Sequence, residues 1–120
     1  IADLSFYDLR GLTNLKHLPA LFASTDLYVG NDSGPGHLAA LQGLPLVILF
    51  SGTNDPIYWK PSSEKLMLLT HAVPCSPCHA KACPLVHHDC MNAISVEEVW
   101  KAIESVLSRN AGDTHVRSRN

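Results

Sequence analysis

Apolar residues in this chain fall either in short unbroken runs or at the three- and four-residue spacing of a helix. The unbroken runs predict buried strands, over residues 26–30, 46–50 and 65–70. The helical spacing predicts three helices, over residues 13–23, 35–42 and 95–108. Strands that alternate with helices indicate an α/β fold built on a parallel sheet.

A proline restricts where the first helix can begin. Pro19 would lie inside it, where proline removes a hydrogen bond and clashes with the preceding turn. We therefore expect either a kink or a helix that begins near Leu18.

The last helix is the most clearly marked element. Ser95 and Glu98 have the spacing of a capping box at its start. Glu97 and Lys101 are one turn apart and predict an ion pair on a solvated face. Trp100 belongs to the apolar spacing of this helix, which assigns its side chain to the core.

The most informative stretch lies between the first strand and the second helix, where the sequence reads Asn31-Asp32-Ser33-Gly34-Pro35-Gly36-His37. Glycines allow the backbone to approach other groups closely, and a helix start does not need the N–H that proline lacks. Asp32 and Ser33 are candidate helix caps. Free N–H groups and the helix dipole at such a start attract anions, and His37 lies one turn further on.

This pattern predicts a diphosphate-binding turn, with a ligand-free capped turn as the alternative. The dinucleotide fingerprint is not matched, because no third glycine follows at the required spacing.

Composition narrows the classes of protein. The 120 residues suffice for one small domain, and 46% of them are apolar, which is enough for a core. A net charge of −2 argues against nucleic-acid binding through bulk electrostatics. No apolar run reaches the roughly 18 residues of a transmembrane helix. Because the chain starts at Ile1, we expect it to be a piece of a longer protein.

Four cysteines lie close together with the spacing C-x2-C-x4-C-x6-C, at Cys75, Cys78, Cys83 and Cys90. Four soft ligands within sixteen residues are compatible with a structural zinc or iron site. The spacing differs from that of a zinc ribbon and of bacterial ferredoxins. Free thiols, which oxidise to disulfides in air, are the alternative, since cytosolic thiols stay reduced.

Four ordered segments together resemble glycosyltransferase family 9, the lipopolysaccharide heptosyltransferases. The principal one is the signature-like stretch at residues 25–40. Leu12-Thr13-Asn14-Leu15 resembles the segment before the preceding helix, and residues 50–61 resemble a loop with Asp-Pro, Trp and Pro. The cysteine-rich residues 74–92 resemble an insertion of many members. The resemblance spans roughly residues 10–107.

The resemblance implies the carboxy-terminal half of a GT-B glycosyltransferase, a Rossmann-like domain that binds the nucleotide-sugar donor. It assigns residues 1–109 to this partial domain, with the cysteine-rich loop at 74–92 inside it and a polar tail at 110–120. The implied activity is inverting transfer of heptose from ADP-heptose to the lipid A-core acceptor. The acceptor domain and its catalytic base, an aspartate, would lie outside this chain, so the chain alone would be inactive. Transfer of another sugar, glycosylation of a protein, and a non-catalytic metal module remain alternatives.

Matching positions also imply roles for single residues. Ser33, Gly34 and His37 would contact the diphosphate, Asp32 would orient the turn or accept protons from sugar hydroxyls, and the Leu12-Thr13 backbone would lie near the adenine. Transfer would need no cofactor, because N–H donors and a histidine stabilise the leaving diphosphate.

The implied location is cytoplasmic, with peripheral contact to the inner membrane, where the acceptor resides. Three spread arginines, at Arg109, Arg117 and Arg119, would add little binding to anionic lipid.

Overall fold

Three parallel strands form the centre of the fold in a computed structural model that describes residues 5–112. They are β1 (Tyr28–Asn31), β2 (Leu46–Leu49) and β3 (Leu66–Leu69), and β2 lies between the other two. The register places Leu46 of β2 beside Tyr28 on one side and Leu66 on the other. All three strands therefore end at the same edge of the sheet.

Helices cover both faces of this sheet. On one face, α1 (Leu18–Ala23) and α2 (Gly34–Leu41) pack over a core that contains Phe22, Ile48 and Phe50. On the other face, α5 (Val96–Ala111) packs over Val47. The buried side chains of β2 contribute to both cores, which explains its unbroken apolar sequence. This three-layer arrangement confirms the predicted α/β, Rossmann-like parallel sheet.

Helix α1 begins at Leu18, and Pro19 occupies its first turn. Proline is tolerated there because the first N–H groups of a helix have no internal partner. The second of the two expectations for this segment is therefore confirmed, and the helix does not extend back to residue 13.

Two short helices lie in segments predicted as loops. They are α3 (Pro56–Trp59) and α4 (Asp89–Asn92), the latter inside the cysteine-rich stretch. Each is a single turn, which is too short to display a helical repeat in the sequence.

The start of α5 matches its prediction. The Ser95 hydroxyl accepts from the Glu98 N–H, and the Glu98 carboxylate accepts from the Ser95 N–H at 2.7 Å. Lys101 and Glu97 form the expected ion pair at 2.7 Å. The helix continues to Ala111, so the proposed tail at 110–120 begins inside it; residues 113–120 lie outside the described range.

The prediction for Trp100 is wrong. Its side chain is 57% exposed, and its indole N–H donates to Glu104 on the solvent side of the helix. The sheet instead meets Val99, Ala102, Ile103 and Val106. Within residues 5–112, no helix has the length and apolar character needed to cross a bilayer.

Candidate functional site

The signature turn connects the end of β1 directly to the start of α2. β1 ends at Asn31, and α2 begins three residues later at Gly34. In an open parallel sheet, ligands bind at the carboxyl ends of the strands, and this turn lies at that edge. Asp32 and Ser33 are therefore the two residues that connect the strand to the helix N-terminus.

Ser33 occupies the N-cap position in an extended conformation, but no side chain caps the helix. The Ser33 hydroxyl instead donates to the Asn31 carbonyl, at a long 3.4 Å. The prediction that Asp32 and Ser33 act as caps is therefore not met. Pro35 has no N–H, and the Gly36 N–H donates to the Ser33 carbonyl at 3.1 Å. Of the first three helical residues, Gly34 is therefore the one whose N–H can bind a ligand.

Gly36 is required because α2 packs directly against the sheet. It is buried, and a Cβ at this position would lie 3.1 Å from Ile48 Cδ1 and 3.6 Å from the Tyr28 ring. The small residue lets the helix start approach β2 closely. Its role is therefore close packing, as the sequence suggested for glycine in this turn.

The polar side chains of the turn differ in their environment. Ser33, Gly34 and His37 are exposed, whereas Asp32 is half-buried. Burial raises the pKa of the Asp32 carboxyl, and the nearby charge of His37 opposes the rise. The two side chains are thus close enough to interact electrostatically, and the turn presents a hydroxyl, a glycine backbone and an imidazole to solvent.

Leu12 and Thr13 lie on a separate exposed segment. The Leu12 side chain is 71% exposed, and its N–H donates to the Leu9 carbonyl at 3.0 Å. The neighbouring Asn14 N–H donates to His17 Nδ1 at 3.2 Å. These hydrogen bonds are local, so the adenine contact of Leu12 and Thr13 stays a prediction.

A second segment at the same sheet edge follows β2 and anchors the cysteine-rich loop. The Gly52 carbonyl accepts from the Cys78 N–H at 2.9 Å, and the Thr53 carbonyl accepts from the His79 N–H at 2.8 Å. The Ser76 hydroxyl also donates to the Gly52 carbonyl, at 3.2 Å. Sequence reasoning missed Gly52, although a glycine two residues beyond a buried apolar run is a signal of close packing.

The loop resembling the family's Asp-Pro segment folds into α3. Asp55 caps this helix, since its carboxylate accepts from the Ile57 N–H at 2.9 Å. The Tyr58 and Trp59 side chains are exposed, Trp59 by 58%. Asp55 therefore has a local structural role, and Trp59 is not packed into the core.

The four cysteines are free, half-buried thiols. All four line one cavity of about 160 Å³, together with residues of the segment after β2. Among residues 5–112, however, no three His, Cys, Asp or Glu side chains are grouped so that they could hold a metal ion. The thiols thus share a cavity without forming a closed ligand set.

Cys83 differs from the other three thiols. Hydrogen bonding from the backbone N–H of His88 lowers the pKa of the Cys83 thiol, and the N–H groups of residues 85–87 add to this effect against desolvation. Val86 and His88 adopt left-handed φ angles of 64° and 54°. Two residues of the segment that donates to Cys83 therefore have backbone conformations that non-glycine residues rarely adopt.

Comparison with known proteins identifies the family to which this chain is similar. Residues 1–88 match the profile of glycosyltransferase family 9 (heptosyltransferase). Lipooligosaccharide heptosyltransferase 2 of Campylobacter jejuni subsp. jejuni serotype O:2 is 36% identical over 110 residues, which are 90% of this chain and 34% of that protein. Lipopolysaccharide heptosyltransferase 3 of Escherichia coli K12 is 39% identical over 59 residues, 49% of this chain and 17% of that protein.

A solved structure is also similar. The crystal structure of the glycosyl transferase family 9 from Veillonella parvula DSM 2008 superposes with a TM-score of 0.64 at 30% identity, covering 77% of this chain and 26% of that chain. The chain thus spans about a third of the length of the curated relatives that match most of it. Since the family profile covers most of the sequence and the fold agrees, the chain belongs to glycosyltransferase family 9.

Proposed function

We propose that this chain is part of the donor-binding half of an inverting, GT-B heptosyltransferase that acts in lipopolysaccharide core synthesis. The donor is a nucleotide diphosphate sugar, specifically ADP-heptose, and the acceptor is the lipid A-core. The relatives named above are heptosyltransferases. The protein works in the cytoplasm at the surface of the inner membrane, where such an acceptor is available.

The observation that carries this proposal is the uncapped start of α2 at the carboxyl end of β1. Ser33 occupies the N-cap position, but its side chain does not hydrogen-bond to the helix. The neighbouring Gly34 has no side chain, so its backbone is open to a ligand. A diphosphate placed here accepts from the Gly34 N–H and meets the positive end of the helix dipole. Exposed His37 adds a further donor or a positive charge on the same side.

These groups also suit the chemistry of transfer. When the sugar leaves, negative charge builds on the terminal phosphate of the nucleotide. Fixed N–H donors and a histidine aimed at that charge stabilise the transition state without a metal ion. Asp32 is close enough to His37 for their charges to interact, so its carboxylate would help to orient the turn.

Calorimetric titration of the chain with ADP, UDP and GDP tests the proposal. We expect ADP to bind in preference to the other two, and binding to weaken strongly in His37→Ala. His71→Ala is the matched control, since His71 bonds Glu98 at the start of α5, and α5 covers the opposite face of the sheet from α2. Its affinity should equal that of the unmodified chain.

Selective binding of UDP or GDP would keep a nucleotide-sugar site but overturn ADP-heptose as the donor. Equal loss of affinity in both histidine variants would contradict the placement of the diphosphate at the turn. Absence of binding by the chain and by the full-length protein would overturn the proposed function.

A further inference from the structure

The first strand of the sheet, β1, has an open edge. Within residues 5–112, β1 lies at one side of the sheet and pairs with β2 alone. The Tyr28 N–H donates to the Pro45 carbonyl at 3.0 Å, so the backbone groups of Tyr28 point toward β2. Backbone groups of successive residues in a strand point to opposite sides. The N–H and carbonyl of Val29 are therefore directed away from β2, where a further strand could pair with them.

The side chain of Val29 marks an uncovered part of the sheet beside this edge. Val29 pairs in register with Val47, so both side chains lie on the face that α5 covers. Val47 is fully buried, because α5 packs over β2 and β3. Val29, in contrast, is 42% exposed. This face of the sheet is therefore covered over β3 and open over β1.

The side of α5 that faces this opening is also apolar. Glu98 bonds to His71, two residues beyond the end of β3, so the Glu98 side of the helix is directed toward β3. Val96, Trp100 and Leu107 lie roughly 180–200° from Glu98 around the helix, and hence on the side of β1. All three side chains are exposed. Together with Val29 they form an apolar corner between the helix and the sheet.

Both the edge and the corner can be covered without burying an unpaired polar group. The Trp100 indole N–H donates to Glu104 at 3.1 Å within α5, so its single donor is already satisfied. The edge strand reads Tyr28-Val29-Gly30-Asn31. It has none of the charged residues or prolines that protect natural edge strands from pairing.

We propose that β1 is an interior strand of a larger sheet, completed by a strand on its open edge and a helix in the corner between Val29 and α5. Both elements come from the same polypeptide, outside these 120 residues. The matched part of this chain is 34% of the length of the Campylobacter jejuni relative, so most of such a protein lies outside it. A consecutive strand and helix fit both surfaces, because in α/β folds helices cover the faces of a parallel sheet. The turn after β1 then has a neighbouring strand on each side.

Photo-crosslinking in the full-length protein identifies what covers Trp100. Trp100 is replaced by p-benzoylphenylalanine, and Arg109 is replaced by the same residue as the matched control. Arg109 is also exposed, but it lies on the opposite side of α5 from Trp100. We expect the Trp100 variant to crosslink within one polypeptide, to a segment outside the 120 residues that mass spectrometry identifies. The Arg109 variant should form no such crosslink.

Three results would overturn the proposal. A crosslink from Trp100 to a second copy, seen as a covalent dimer, would show that self-association covers the corner. Equal crosslinking from both positions would show that the corner is not a specific surface. No crosslink from Trp100 would show that the corner stays open.

Hydrogen exchange of the unmodified full-length protein tests the edge without any substitution. The N–H groups of Tyr28 and Gly30 point toward β2 and serve as internal references. If a strand pairs with the open edge, the Val29 N–H should exchange as slowly as these two. Much faster exchange at Val29 alone would contradict the proposed pairing. Both measurements are made without nucleotide, so their outcome is independent of the proposed binding of ADP.

Discussion

At the scale of single residues, two glycines are explained by close packing and not by unusual backbone angles. Gly36 brings the start of α2 onto β2, and Gly52 brings the cysteine-rich loop onto the segment after β2. A motif reveals the first of these, because the glycine stands inside a recognisable turn. The second has no local motif, since its partners come from more than twenty residues further along the chain.

Gly52→Ala should destabilise the chain by about 1–3 kcal/mol, the usual cost of overpacking. The added Cβ would lie 3.1 Å from Cys90 Cβ and 3.2 Å from Ser76 Cβ, and neither atom moves without its backbone. The loss should be visible as a lower urea midpoint with an unchanged slope.

Gly112→Ala provides the matched control. Its φ is −70°, and the added Cβ would meet only the Arg109 carbonyl at an ordinary 3.6 Å. This change should be neutral or slightly stabilising. If both variants unfold at the same urea concentration, the close contact at Gly52 does not restrain the loop.

The environment of Trp100 shows what residue spacing alone cannot predict. Its position fits the apolar period of α5, yet the side chain is largely exposed. The period identifies an apolar stripe, but the width of the stripe that the sheet covers depends on how the helix sits on β2 and β3. That orientation is a tertiary property, set by Val99, Ala102 and Val106 against Val47.

At the scale of elements, the sequence predicts every strand within residues 5–112 and every helix there that is longer than one turn, with the start of α1 given as one of two alternatives. The ends of β1, β2, β3, α2 and α5 lie within three residues of their predicted positions. These elements have strong periodic or unbroken apolar patterns. The single-turn helices α3 and α4 depend on a cap or on surrounding loop contacts, which a repeat does not reveal.

The start of α5 makes stability depend on acidic pH. The pKa of Glu98 is lowered from 4.5 to about 2, first by the Ser95 N–H, then by the Ser95 hydroxyl and by His71. Because the folded pKa lies below the ordinary one, ionised Glu98 stabilises the folded chain fully above about pH 4.5. This contribution should disappear as the pH falls from 4.5 toward 2.

Urea unfolding of the chain and of Glu98→Gln over this pH range measures the effect. The difference in free energy of unfolding should be constant above pH 4.5 and shrink toward pH 2. In a Ser95→Ala background, the same comparison should show a smaller difference, since the carboxylate loses the Ser95 hydroxyl, its second donor, while the Ser95 N–H remains. A difference that does not change with pH would mean that the capping box does not depend on the charge.

The candidate site also has a part that the sequence predicts and a part that it does not. The signature turn is predictable because strand, turn and helix are consecutive in sequence, and the structure keeps Asp32, Ser33, Gly34 and His37 together. The segment of Leu12 and Thr13 is linked to this turn only by the family resemblance. The cysteines are close in sequence, but their common cavity depends on docking against Ser51–Thr53, which their spacing does not encode.

At the scale of the whole molecule, the chain spans about a third of the length of the two Campylobacter jejuni relatives that match most of it. Under the proposed function, the turn after β1 binds the diphosphate of the nucleotide-sugar donor. In a two-domain transferase, binding of the donor and deprotonation of the acceptor are carried out on opposite sides of a cleft. We therefore expect the donor-binding domain, when studied alone, to bind the donor without catalysing transfer.

We expect the 120-residue chain to bind ADP without transferring heptose, and the full-length protein to do both. In the full-length protein, His37→Ala should lower the rate of transfer by about 10²-fold or more, because it removes a donor to the charge that develops on the leaving diphosphate. Release of ADP in the presence of ADP-heptose and a lipid A-core acceptor measures this rate. His71→Ala in the same protein should retain it. A near-normal rate in His37→Ala would show that the imidazole does not stabilise the leaving group, whereas transfer by the 120-residue chain would place the acceptor base within the sequence described here.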